Sequence, residues 1–387
     1  MNRCAVVSAW LGSCVLASTA FALVANPAAD TAAPAARDAL KLTLPPVCHA
    51  VVGVPLRIYY DNIVLTPEPD KLRFQVQCAL GKAEARAWTV TPQADQVGDF
   101  DWGVTVTDAA GKRLASACCK LHVAPADAGS HSALRLLLVG DSLTHASTYP
   151  NEIARWLSLP GNPAAKLLGT HRTPNAKPGV AHEGYGGWTW AQFVSHYEPH
   201  PDGTYRKRSS PFVFLAADGK PALDVPQYVQ TACDRTPPEM VTFLLGINDC
   251  FSAKADEPKS VNERIGAMFQ QADVLLAAFH KAAPRADLGV CLAVPPNSRE
   301  SGFEANYHGK YHRWNWKRVQ HELVRRELQH FGNRQDERIF LIPTELNLDP
   351  VDGFPTNNGV HPNETGYRQI AATIYSWIKN RLESQRR

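Results

Sequence analysis

The hydrophobic pattern changes its period part-way along the chain. Between residues 46 and 125 apolar and polar side chains alternate in short runs at 54–60, 72–78, 102–107 and 120–123. In the second of these Leu72, Phe74, Val76 and Cys78 fall on one face. A period of two marks half-buried strands. Turn residues such as Asp108 and Gly111 separate the runs. The stretch predicts a small antiparallel β-sandwich of Ig-like type over 46–125.

From Leu134 the runs become continuous. Residues 134–139 read Leu-Arg-Leu-Leu-Leu-Val, and similar strands are expected at 166–169, 239–245, 288–294 and 338–342. Between them lie helical patterns: one from about Pro150, and one carrying Val261, Ile265, Met268, Phe269, Ala272, Leu275, Leu276 and Phe279. A last one starts near Glu364 and carries Tyr367, Ile370, Ile374 and Ile378. Strands alternating with helices predict an α/β domain over 133–387, a mostly parallel sheet with helices on both faces. In such sheets the chemistry sits at the carboxyl ends of the strands.

The first 22 residues have a different character. Arg3 precedes an apolar stretch from Ala5 to Ala22 that closes on Ala20-Phe21-Ala22, the layout of a signal peptide. The stretch is short and broken by Ser8, Gly12, Ser13 and Ser18, which argues against a membrane anchor. Leu11-Gly12-Ser13-Cys14 resembles a lipobox, but the apolar run continues past Cys14. Residues 23–45 are expected to be a linker, rich in Ala, Pro and Asp at its start. The expectation is export to the periplasm or the extracellular space, with no stable membrane insertion after cleavage.

Composition adds constraints. Across 387 residues 44% are hydrophobic and 20% charged, which excludes a wholly disordered or collagen-like chain. The net charge of +3 gives no reason to expect a nucleic-acid partner. Two of nine cysteines lie in the first 22 residues, so seven remain. An odd number leaves at least one thiol unpaired within the chain, and Cys48, Cys78 and Cys118 or Cys119 are the expected partners for any disulfide. No paired Cys-x-x-Cys or His-containing spacing predicts a zinc site.

Four polar landmarks stand at predicted strand ends or helix starts. Gly140-Asp141-Ser142-Leu143 follows the first strand of the α/β domain and places a serine on a tight turn. Gly246-Ile247-Asn248-Asp249 follows the third. Glu183-Gly184-Tyr185-Gly186-Gly187-Trp188-Thr189 offers backbone N–H groups with little steric cover. Asn358-Gly359-Val360-His361-Pro362 sits just before the last helix. Each feature alone has an ordinary reading as a cap, a turn or a surface histidine.

In this order the blocks resemble those of the SGNH (GDSL-type) hydrolases, over about residues 134–385. The resemblance implies a flavodoxin-like three-layer fold and a serine esterase of carbohydrate-esterase type that needs no cofactor or metal. It implies Ser142 as nucleophile, His361 as base, and an oxyanion hole from Ser142, Gly187 and Asn248. That family usually has Asp three residues before the histidine, where this chain has Asn358. Asn358 is then expected to orient the imidazole, with Asp352 supplying the charge; Asp349 or a backbone carbonyl are the alternatives. Trp188 and Trp190 are candidate substrate-binding faces for an acylated carbohydrate. Tyr307, Tyr311, Trp314 and Trp316 form a further aromatic group, which core packing explains equally well. The competing classes are a non-catalytic carbohydrate-binding or scaffold protein, favoured by Asn358, and an O-acyltransferase on the same fold.

Overall fold

A computed structural model describes residues 40–385. The signal-peptide expectation for 1–22 and most of the linker expectation, residues 23–39, lie outside the described residues. The described residues fall in one compact unit.

The stretch holds seven strands: β1 (Val47–Val51), β2 (Leu56–Tyr59), β3 (Arg73–Gln77), β4 (Lys82–Ala83), β5 (Ala87–Val90), β6 (Gly98–Thr107) and β7 (Arg113–Ala124), of which β2, β3, β6 and β7 lie on the four alternating runs. A one-turn helix, α1 (Tyr60–Ile63), follows β2. One sheet has the order β1-β7-β6-β3 and a second the order β2-β5-β4. Asp108 closes the β6–β7 hairpin: its N–H donates to Lys112 O and its carboxylate accepts from Lys112 N. The sandwich departs from a purely antiparallel one at its edge. There β1 runs parallel to β7, with Val47 opposite Lys120 and Val51 opposite Ala124.

Trp88 and Trp102 meet edge to face in the core of these sheets, with ring centroids 6.1 Å apart. Both are buried, so they pack the interior and do not offer faces to a glycan. Cys48 and Cys119 bury their thiols in the same core, Sγ to Sγ 3.6 Å, while Cys118 points to solvent because successive strand residues face opposite ways.

The second half builds one parallel sheet. Its strands are β8 (Ala133–Gly140), β9 (Ala164–Leu168), β10 (Glu183–Gly184), β13 (Met240–Leu244), β14 (Asp287–Cys291) and β15 (Ile339–Ile342). The short strands β11 (Val213–Leu215) and β12 (Pro221–Leu223) form a separate hairpin. The order β10-β8-β13-β14-β15 is parallel throughout, and β9 pairs with the earlier half of the β8 edge that β10 also uses. Leucine alternation in β8 serves both faces. Leu137 and Val139 join one core, whereas Leu134, Leu136 and Leu138 join the other.

The helices are α2 (Ser142–His145), α3 (Thr148–Leu157), α4 (Trp190–Ser195), α5 (Val225–Ala232), α6 (Ile247–Cys250), α7 (Pro258–Ala282), α8 (Glu300–Tyr307), α9 (Arg313–Phe331), α10 (Thr344–Asn347) and α11 (Glu364–Ser384). Helices α4, α5, α7 and α9 cover one face, through residues such as Phe193, Tyr228, Ile265 and Leu323. Helices α3 and α11 cover the other, through Ile153, Ile370 and Trp377.

The first half grips the second just ahead of α11. Asn62 Nδ2 donates to the backbone oxygens of Glu345 (2.6 Å) and Leu348 (2.8 Å). Arg57 N donates to Asn347 Oδ1 (2.9 Å), and Leu346 inserts into the core of the first sheets. Arg86 pairs with Asp349. Among the described residues no helix is long and apolar enough to cross a membrane.

Candidate active site

The end of β8 is a tight junction. Asp141 caps α2, its Oδ1 accepting the Leu143 N–H at 2.9 Å, and this sets Ser142 at the first helical position. The glycine loop lies against this turn. Tyr185 N donates to Gly140 O, and a Cβ on Gly184 would stand 2.5 Å from Thr144 Cβ and 2.8 Å from His145 N. Only glycine permits that approach. Gly187 follows with φ of 79°, a left-handed conformation that turns the chain toward the serine side.

Beyond β13, Gly246 at φ 123° starts α6 and presents Asn248. The Asn248 side-chain amide donates to Asp141 Oδ2 and to Trp188 O, both at 3.1 Å. It therefore ties together the serine turn and the glycine loop. His361 comes from the loop before α11, and its Nε2 stands 2.9 Å from Ser142 Oγ. Ser142, Gly187, Asn248 and His361 line one cavity of about 170 Å³. The remaining wall includes Leu143, Phe251, Val294, Pro295, Tyr307 and Trp316.

Burial shapes the electrostatics. It holds the His361 imidazole below its ordinary value, which favours the neutral, proton-accepting form. Burial also pushes Asp141 up to about 7 and Asp249 up to about 7, and the nearby Asp141 carboxyl adds to the rise of Asp249. Asp249 Oδ2 accepts the Trp190 N–H at 3.3 Å, which anchors the start of α4.

Several expected roles do not survive the geometry. Asn358 turns its Oδ1 to the backbone, accepting from Val360 N (3.0 Å) and His361 N (2.8 Å). It shapes the loop and makes no hydrogen bond to the imidazole. Asp352 is exposed and is paired with Arg86 and Arg299, and it makes no hydrogen bond to the His361 ring. Asp349 accepts from Val351 N and Asp352 N and pairs with Arg86. Among the described residues the contact with Ser142 is the only hydrogen bond the His361 ring makes. Trp188 packs against Tyr185 and Phe193, and Trp190 stacks on Phe243 at 5.2 Å. Both indoles are buried, so neither offers a face to a substrate.

The cavity wall instead draws on two of the further aromatic group and on apolar residues near the strand ends. Tyr307 and Trp316 come from α8 and α9, Phe251 from the end of α6, and Val294 with Pro295 from the segment after β14. The strand-end rule applied to β14 points to that last pair. Among the described residues no group of three or more His, Cys, Asp or Glu side chains converges as a metal site would require.

The profile of the GDSL-like Lipase/Acylhydrolase family matches residues 136–374. The chain belongs to this family. The GDSL match spans the whole parallel sheet except the first residues of β8, and leaves β1–β7 outside. Comparison with curated proteins finds no match. Solved structures similar to this GDSL chain include a carbohydrate esterase family 3 protein from Talaromyces cellulolyticus, at 18% identity over 65% of this chain and 99% of that one, TM-score 0.40. A family 3 carbohydrate esterase from Clostridium thermocellum is similar at 19% identity over 66% and 99%, TM-score 0.42. An acetyl xylan esterase, AlAXEase, is similar at 14% identity over 63% and 100%, TM-score 0.33.

Proposed function

We propose that the protein is a serine esterase that removes O-acyl groups, O-acetyl in particular, from an acylated polysaccharide. The observation that carries the reading is the 2.9 Å contact between His361 Nε2 and Ser142 Oγ inside the cavity shared with Gly187 and Asn248. A serine oxygen is a weak nucleophile until a neighbouring base takes its proton. His361, whose neutral form burial favours, accepts that proton as Ser142 Oγ attacks the ester carbonyl.

Negative charge then grows on the carbonyl oxygen. The backbone N–H groups of Ser142 and Gly187 and the amide of Asn248 are the donors that meet it. Both Asn248 amide hydrogens are engaged in the free enzyme, so this donor turns from Asp141 or Trp188 when the oxyanion forms. His361 passes its proton to the departing sugar hydroxyl. Water then attacks the acyl-enzyme by the same route.

The pair acts as a Ser–His dyad. With Asn358 on the backbone and Asp352 paired elsewhere, no carboxylate among the described residues is hydrogen-bonded to the imidazole. A cavity of about 170 Å³ lies below the roughly 300–1,000 Å³ of sites for drug-sized ligands, which suits a short acyl group. The aromatic wall of Phe251, Tyr307 and Trp316 suits the apolar face of a sugar. With residues 1–22 as a signal peptide, the enzyme acts in the periplasm or outside the cell.

The test is acetate release from a panel of acetylated polysaccharides, with p-nitrophenyl acetate as a simple ester. Ser142→Ala is expected to abolish turnover of both. Equal rates for the native chain and Ser142→Ala would end the proposal.

A further inference from the structure

A second cavity of about 200 Å³ adjoins the catalytic one, and the two share Ile247, Phe251 and Trp316 as common wall. We propose that this second cavity is a sugar subsite, taking the ring next to the one that carries the ester. The inference rests on the esterase reading above and specifies what the leaving group must be: a carbohydrate of at least two rings.

The chemistry of the lining selects the occupant. Phe251 is the hub of an aromatic corner, 4.5 Å from both Tyr311 and Trp316 and nearly perpendicular to each, at 81° and 86°. Phe251 and Tyr311 are half-buried, so part of each ring remains open to the cavity. Around this floor the rim is polar, with Lys310, His312 and Asn315. Lys310 is drawn in over Tyr311, its Nζ 5.3 Å from the ring centroid. A sugar ring has an apolar C–H face and an edge of hydroxyls, which matches an aromatic floor under a hydrogen-bonding rim. A long acyl chain needs apolar walls all round, and here it would strand the rim groups against hydrocarbon.

Continuity fixes the direction. Phe251 and Trp316 border both cavities, so a substrate whose ester carbonyl lies between Ser142 and Asn248 would reach the second cavity past these two rings.

The test uses three matched pairs of acetylated sugars: xylose and xylobiose, glucose and cellobiose, galacturonate and digalacturonate. The native chain is expected to prefer the disaccharide by about tenfold in kcat/KM in at least one pair, through KM. Tyr311→Ala, which removes the floor, and Asn315→Trp, which fills the space, are both expected to erase that preference while each still hydrolyses the acetylated monosaccharide. Binding is read separately, by calorimetry with the Ser142→Ala chain and the preferred disaccharide without acetyl groups. There Tyr311→Ala is expected to weaken affinity about tenfold. No preference in any pair overturns the subsite, as does a preference that survives both substitutions. So does a Tyr311→Ala effect that instead grows with acyl length across p-nitrophenyl acetate, butyrate and hexanoate. Loss of the esterase reading would show separately, as turnover of p-nitrophenyl acetate that persists in Ser142→Ala.

Discussion

The side-chain amide of Asn248 sits 3.1 Å from the carboxylate of Asp141, so the third strand's landmark is held by the residue next to Ser142. One carboxyl therefore fixes two parts of the machinery, because its other oxygen caps the helix that bears Ser142. Asp141→Ala is expected to lower kcat by about 10²-fold or more, approaching the loss from Asn248→Ala, since a removed oxyanion donor costs roughly 10²–10³. The two losses should be less than additive in the double variant, because both act through the Asn248 amide. Full additivity in a double-mutant cycle would show that Asp141 works only as a helix cap.

The pH profile follows from His361. In the proposed mechanism the active form is the neutral imidazole, and burial lowers its pKa from 6.5. The acid limb of kcat/KM is expected to have its midpoint below 6.5, measured on p-nitrophenyl acetate. Asn358→Asp places a carboxylate in the same loop, and an opposite charge close by favours the imidazolium. That variant should move the limb upward by about one pH unit. An unmoved limb would mean that position 358 is electrostatically remote from the ring.

Stability should run the other way with pH. Asp141 and Asp249 are pushed up to about 7 and Glu327 to about 8, all chiefly by burial. Groups raised on folding give their full contribution below the unfolded pKa and lose it as pH rises through the folded value. The melting temperature is expected to fall from about pH 4, where unfolded carboxyls titrate, to about pH 8, and to level off above that. Glu327 Oε2 accepts the Ala293 N–H at 3.1 Å, a bond a glutamine oxygen can keep. Glu327→Gln should flatten the fall, because a tenfold difference in proton affinity between the folded and unfolded chain is worth about 1.4 kcal/mol. Parallel melting curves for the two proteins would exclude Glu327 as a source.

The clamp ahead of the histidine loop gives another measurement. Asn62→Ala leaves the backbone oxygens of Glu345 and Leu348 without their donor. Unsatisfied buried carbonyls cost about 1–3 kcal/mol each, so chemical denaturation should register a loss of that order. Activity should fall with it, since the segment leads into the loop carrying His361. Unchanged kcat in a destabilised variant would separate the clamp from catalysis.

Much of the parallel sheet was legible because its strands are continuous apolar runs closed by glycine turns, as at Gly140 and Gly246. The edge strand β1 was not. Its sequence, Val-Cys-His-Ala-Val, is short, and its partner in β7 lies about seventy positions away. In the site, Ser142, Asn248 and His361 were readable from their places at strand ends and before a helix. The direction of the Asn358 side chain was not, because an amide beside a turn chooses between backbone and imidazole by fractions of a turn's geometry. Trp188 and Trp190 misled for a related reason. Thr189, which lies between them, caps α4, and both rings are buried.

The grip of Arg57, Asn62 and Arg86 on the run from Glu345 to Asp349 has an evolutionary consequence. The segment that leads to His361, the proposed base, is held by chain that is synthesised before Ser142, the proposed nucleophile. Exchange of the leading sheets between relatives is therefore not a neutral swap of modules. Any recombinant that inherits them must also inherit, or reinvent, the short stretch they hold, and selection on either half is felt by the other.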